Sequence, residues 1–181
     1  MTLTTKYLDF WTRVRKELLV GLLIMTVIFI YSYFKNGNDF KFSGLILVFG
    51  LIYVIVASFR ARTFDNEVKI TEDKIVVTVY SFNSPVDKEF DIKTSDIKIK
   101  SKGQGRGNVE YYLRVSSSDK AVDINRSFNW DYSSLLTIFN EFKRIKGEKI
   151  IFDEKYFLDI MEKKANGFST LDIASGKEFG K

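Results

Sequence analysis

The chain has 181 residues, 28% of them charged, a formal net charge of +5, and neither Cys nor His. The missing residue types exclude disulfides, thiolate nucleophiles, Cys/His zinc sites and imidazole acid–base chemistry. A charge of +5 favours contact with an anionic surface, yet ordinary solvation accounts for it as well. The mean hydropathy of −0.07 does not look like that of a membrane protein. The apolar residues are, however, concentrated in one stretch near the start.

In chain order, Tyr7, Phe10, Trp11, Val14 and Leu18 fall at i, i+3, i+4, i+7 and i+11, with Arg13, Arg15 and Lys16 off that stripe. The spacing predicts a short interfacial amphipathic segment over 1–17, with Tyr7, Phe10 and Trp11 as interfacial anchors. The alternative is that the stripe packs on a soluble domain. Leu18 to Phe34 (LLVGLLIMTVIFIYSYF) and Phe42 to Phe59 (FSGLILVFGLIYVIVASF) then contain no charge. Helices of this length span about 26 Å, just enough for a hydrocarbon core with interfacial flanks. They predict a two-helix transmembrane hairpin over 18–59. The first run is too long for a signal peptide's apolar region and no A-x-A-like site follows it. Tyr31, Tyr33, Phe34 and Phe40 read as an aromatic belt at the far end. Lys6, Arg13, Arg15 and Lys16 before the hairpin, and Arg60, Arg62, Lys69 and Lys74 after it, outnumber the two Lys of the link KNGNDFK. The positive-inside rule then predicts a multi-pass protein of the inner membrane with both termini cytoplasmic. Gly21, Gly44 and Gly50 permit close helix contact but form no GxxxG.

From Phe64 the period becomes two. Val68 and Ile70; Ile75, Val77 and Val79; Val86, Phe90 and Ile92; Ile97 and Ile99; and Val109, Tyr111, Leu113 and Val115 each share a face, and Ala121 to Asn125 follows a turn. Such alternation predicts antiparallel strands in a sandwich or barrel. Leu135, Ile138, Phe139, Phe142 and Ile145 then mark an amphipathic helix from about Asp131 to Lys146, capped by Asp131 and ended by Gly147. A second helix is expected over Glu154–Lys164, with Asp153 as cap and Phe152 stapled onto Phe157. Asn166-Gly167 should stop it, and the last dozen residues read as loose. The domain division is 1–17, 18–59, 60–148 (the soluble domain) and 149–181 (the second helix and tail).

This order resembles bacterial two-helix membrane proteins with a PH-like domain, of the YcxB-like or YdbS-like kind. The resemblance rests on the hairpin at 18–59, on FDNEVKITEDKIVVTVY and on SLLTIFNEFKRIKG, and it covers residues 18–148. It implies a transmembrane α-hairpin plus an α+β, mainly β, soluble domain: an antiparallel PH-like barrel or sandwich capped by a C-terminal helix. It carries over no catalytic residue.

No enzyme motif emerges. GQGRG at 103–107 lacks the Gly-Lys-Ser/Thr and the helix of a P-loop, and Glu72-Asp73 reads as a turn. Lys98, Lys100 and Lys102 project from one strand face opposite Ile97 and Ile99, with Arg106 beyond. They are candidates for contact with an anionic surface, a lipid headgroup in particular; the plainer alternative is a solvated edge strand defended by Lys. From Arg60 onward 22 Lys and Arg face 20 Asp and Glu, with no basic stripe among stacking aromatics, so nucleic acid is not an expected partner. The sequence therefore predicts a non-enzymatic module without metal or cofactor, anchored in the lipid bilayer, that binds a protein partner. Anionic-lipid binding and protection against a toxin are the alternatives.

Overall fold

The computed structural model describes residues 1–36, 40–103, 109–127, 129–169 and 172–173; within the helices, the side chains of 20, 32–33, 35–36, 40–43 and 45–47 lie outside the description. The elements run in the order β1 (Thr2–Thr4), α1 (Phe10–Asn36), α2 (Phe40–Ala61), β2 (Thr63–Ile70), β3 (Lys74–Ser81), β4 (Ser84–Asp91), β5 (Asp96–Gly103), β6 (Val109–Ser116), β7 (Ala121–Ile124), α3 (Tyr132–Lys146) and α4 (Phe152–Ala165). They form two compact units. One comprises Met1–Lys6, Asp65–Val79 and Val86–Lys181; the other comprises Tyr7–Phe64 and Tyr80–Pro85.

The first unit is built on two sheets, of strand order β1-β2-β3-β4 and β5-β6-β7. β1 pairs antiparallel with β2, setting Leu3 opposite Val68, although a helical hairpin separates the two strands in the chain. β5 and β7 flank β6, both antiparallel to it. In β6, Tyr111, Leu113 and Val115 are buried while Glu110, Tyr112 and Arg114 on the other face are not. This is the period-two pattern of a half-wet sheet. Inward residues of both sheets, Val68, Ile75, Val77 and Phe90 from one and Ile97, Leu113, Val115 and Ile124 from the other, share one core with Leu135, Ile138, Phe139 and Phe142 of α3. The sheets have no strand in common and, among the described residues, do not close into a barrel. The expected barrel is corrected to two open sheets. β4 departs from its expected pattern too: Phe90 is buried but Val86 is exposed.

α3 begins and ends where its residues dictate. The Asp131 carboxylate accepts the Ser134 N–H at 2.7 Å, and Gly147 takes a left-handed φ of 72°, its N–H donating to the Arg144 carbonyl at 3.2 Å. In α4 the residue at the cap is Ile151 rather than Asp153; the Glu154 side chain reaches back to accept the Ile151 N–H at 3.0 Å. Phe152 is exposed, so the expected staple is not formed. Lys143 bridges Glu148 and Glu154 at 3.0 and 2.8 Å, joining the end of α3 to the start of α4.

In the second unit α1 and α2 lie antiparallel. Gly21 leaves room for the Tyr53 ring, whose hydroxyl donates to the Glu17 carbonyl at 2.7 Å, and Met25 comes up beside Gly50. Among the described residues no helix is long and apolar enough to cross a membrane. The transmembrane hairpin, the membrane and transmembrane assignments and the multi-pass inner-membrane placement with cytoplasmic termini are corrected accordingly. The physical reason lies in the charge at the helix ends. Arg13, Arg15, Lys16 and Glu17 occupy the first turns of α1 and Lys35 ends its uncharged run. In α2, Lys41 and Arg60 bound the uncharged run in the same way.

Candidate functional site

The hairpin carries its apolar residues outward as well as inward. On α1, Leu19, Leu23, Val27, Tyr31 and Phe34 recur every three or four residues and are exposed, Leu23 at 64% and Phe34 at 82%. On α2, Val48, Leu51, Ile55 and Phe59 do the same, Leu51 at 66% and Phe59 at 69%. The stripe on α1 runs about 22 Å along the axis and that on α2 about 16 Å, at 1.5 Å per residue. No charge interrupts either. Scattered exposed apolar residues are ordinary, but a contiguous uncharged surface of this kind marks an interaction site.

The expected anchors lie at the base of the hairpin and take different positions from one another. Tyr7 precedes the helix instead of lying on its stripe, and its ring packs on Phe64 and Tyr80 at centroid distances of 6.5 and 4.7 Å. Phe10 opens α1 against Trp11 and Phe82, at 5.3 and 5.1 Å. Of the three, Trp11 projects furthest, at 71% exposure.

Lys98, Lys100 and Lys102 are all exposed on β5, on the face away from buried Ile97, while Arg106 lies outside the described residues. Across the ladder they face Arg114, Tyr112 and Glu110 respectively. Arg114 is already held by Asp123, through bonds of 2.6 and 2.9 Å, and Arg126 joins the same carboxylate at 3.1 Å. β5 is an edge of its three-stranded sheet among the described residues. Lysines there also keep foreign strands from adding on.

Two buried polar clusters escaped the sequence reading. Glu110 accepts the Tyr132 hydroxyl, and Lys164 sits 3.6 Å from the other Glu110 oxygen with its ammonium over the Tyr132 and Tyr111 rings. Burial first, then the hydrogen bond to Glu110, pushes the Tyr132 phenol well above its usual value. In the other cluster, buried Asp65 accepts the Asn125 N–H at 2.7 Å, and its backbone carbonyl accepts from Asn129 and Trp130 side chains at 2.6 and 3.3 Å. Desolvation pushes the Asp65 carboxyl upward. Glu110, Tyr132, Lys164, Asp65 and Asn125 each engage a partner within the fold. Among the described residues no three or more Asp or Glu come together in a way that could hold a metal ion.

No family model matches the chain, and no curated protein or solved structure matches it.

Proposed function

We propose that the chain is a non-catalytic interaction module that engages a protein partner through the apolar exterior of its helical hairpin. The observation that carries this reading is the pair of uncharged stripes ending at Phe34 and Phe59. Burying them supplies roughly 25 cal/mol for each Å² removed from water, and Phe29, Tyr31, Phe34, Phe49 and Phe59 are of the residue types enriched at interface cores. The partner surface must be apolar and uncharged along about 20 Å, as in the docking of a helix into a hydrophobic groove. The sheet edges are poorer docking sites. β1 has three residues and β7 four, β4 has Pro85 as its second residue and carries Asp87, Lys88 and Glu89, and β5 carries the lysines. The order of strands and the helix after them support, as part of the same proposal, kinship with proteins that carry a PH-like domain. Protection against a toxin has no structural observation behind it.

Photo-crosslinking amino acids placed at Leu23 and Leu51 test the reading in cells. One defined protein adduct shared by both positions, and absent when the crosslinker replaces exposed Lys120, is the expected result. Adducts to lipid alone, or none, would overturn it.

A further inference from the structure

We infer that the base of the hairpin binds a phosphate group, gripped by the guanidinium of Arg13 and completed by that of Arg62. Arg13 is 93% buried by side-chain packing, 7% of it remaining exposed. Its Nη2 donates to the Phe82 carbonyl, but its Nε and Nη1 are buried with no hydrogen-bond partner in the described residues. Its guanidinium lies over the Phe64 ring at 5.2 Å and the Phe10 ring at 5.9 Å. A buried cation whose remaining donors face aromatic rings is costly unless an anion with several oxygens meets it. A guanidinium presents its donors as a planar fork that fits such an anion in bidentate fashion.

The surroundings carry the same sign. Among the described residues of this unit, Arg13, Arg15, Lys16, Arg60 and Arg62 outnumber the acidic Asp9 and Glu17, and no ion pair within 4 Å joins them. Asp9 is engaged in capping α1, accepting the Thr12 N–H at 3.1 Å. Arg62 stands over the Phe82 ring at 5.4 Å, so both guanidinia touch one residue, Arg13 its carbonyl and Arg62 its ring. Phe82 occupies a two-residue turn between β3 and β4 at a φ of 57°, a conformation that costs an aromatic residue strain. Its ring is half-exposed.

The full chain, titrated with inorganic phosphate or with glycerol 3-phosphate against chloride at matched ionic strength, tests the inference. At saturation either probe raises the melting temperature of the wild type by about 4 °C or more. Arg13→Met loses that rise, because it removes the guanidinium fork at nearly constant volume. Arg62→Met shows a smaller rise. A response to both probes assigns the site to free phosphate, and a response to the ester alone assigns it to a phosphoglyceride headgroup. No rise in the wild type overturns the inference, as does a rise that persists undiminished in Arg13→Met. Should Arg13→Met fail to fold, broadening of the probe's phosphorus resonance decides: broadening by the wild type that Arg62→Met weakens supports the site, and none, or no weakening, refutes it.

Discussion

The carboxylate of Asp65 accepts the backbone N–H of Asn125 at 2.7 Å across 60 residues of chain. Asn125 stands at a φ of 72°, and its own side chain donates to the Tyr111 carbonyl at 3.0 Å and accepts the Trp130 N–H at 2.9 Å. One left-handed residue therefore ties the start of β2, the middle of β6 and the approach to α3 together.

Burial raises the Asp65 pKa above its unfolded value. The stability it contributes is thus complete below the unfolded carboxylate range and is lost as pH rises through the folded pKa. Asp65→Asn keeps an acceptor for Asn125 without the charge, so it should flatten the loss of stability on going from acid to neutral pH. Asp65→Ala strands the Asn125 N–H and should cost about 1–3 kcal/mol. Denaturant midpoints measured across that range check both; a stability difference between Asp65→Asn and the wild type that does not grow in favour of Asp65→Asn as pH rises would contradict the assignment.

A methyl group added at Gly21 would lie 2.2 Å from the Tyr53 ring. Ala gains about 1 kcal/mol over Gly in a helix, whereas overpacking costs about 1–3 kcal/mol, so the clash should prevail. Gly21→Ala is expected to destabilise the helix pair, and Tyr53→Ala introduced with it should recover part of the loss. Because the two residues touch, the cycle should show a non-additive term.

Tyr132 holds its proton far above the usual phenol range. In an ultraviolet titration Tyr132, and with it Tyr111, should ionise after the exposed tyrosines, and Tyr132→Phe should remove one residue from the late group. The corresponding stability is full below the unfolded phenol pKa of about 10 and falls as pH climbs through the folded value. Glu110→Ala, which strips both Tyr132 and Lys164 of their carboxylate, should cost about 1–3 kcal/mol by chemical denaturation.

Lys98 and Lys100 project from an edge strand with no ion pair to restrain them among the described residues. Lys98→Thr with Lys100→Val should change the stability of the monomer by less than about 0.5 kcal/mol. It should nevertheless promote concentration-dependent association, visible by light scattering, through the newly unguarded edge. Unchanged scattering would show that the lysines serve some purpose other than guarding it.

Where pattern alone decides structure, the sequence was readable. The alternation from Val109 to Val115 places β6, and the spacing from Leu135 to Phe142, bounded by Asp131 and Gly147, places α3. β1 was not legible, since three residues carry no period and its partner lies beyond a long helical insertion. The two apolar runs announced helices correctly, but length and flanking charge read from the sequence pointed to a membrane span that no described helix is long and apolar enough to make. Asp65, Asn125 and Tyr132 went unnoticed because a buried polar network is made by tertiary contact between distant residues. Arg13 read as one of several basic flanking residues; only the fold shows that it is enclosed by aromatic rings.

The pairing of β1 with β2 also sets an order of events during synthesis. The Thr5 N–H meets the Asn66 carbonyl at 2.8 Å, so the chain departs from the sheet and comes back to the same spot after about sixty residues. At ribosomal speeds of about 5–20 residues per second, β1 waits roughly 3–12 s for its neighbour to be made. That interval is the time in which both apolar helices are made, so they are complete before β1 can pair. Whatever shields them must therefore act on the nascent chain.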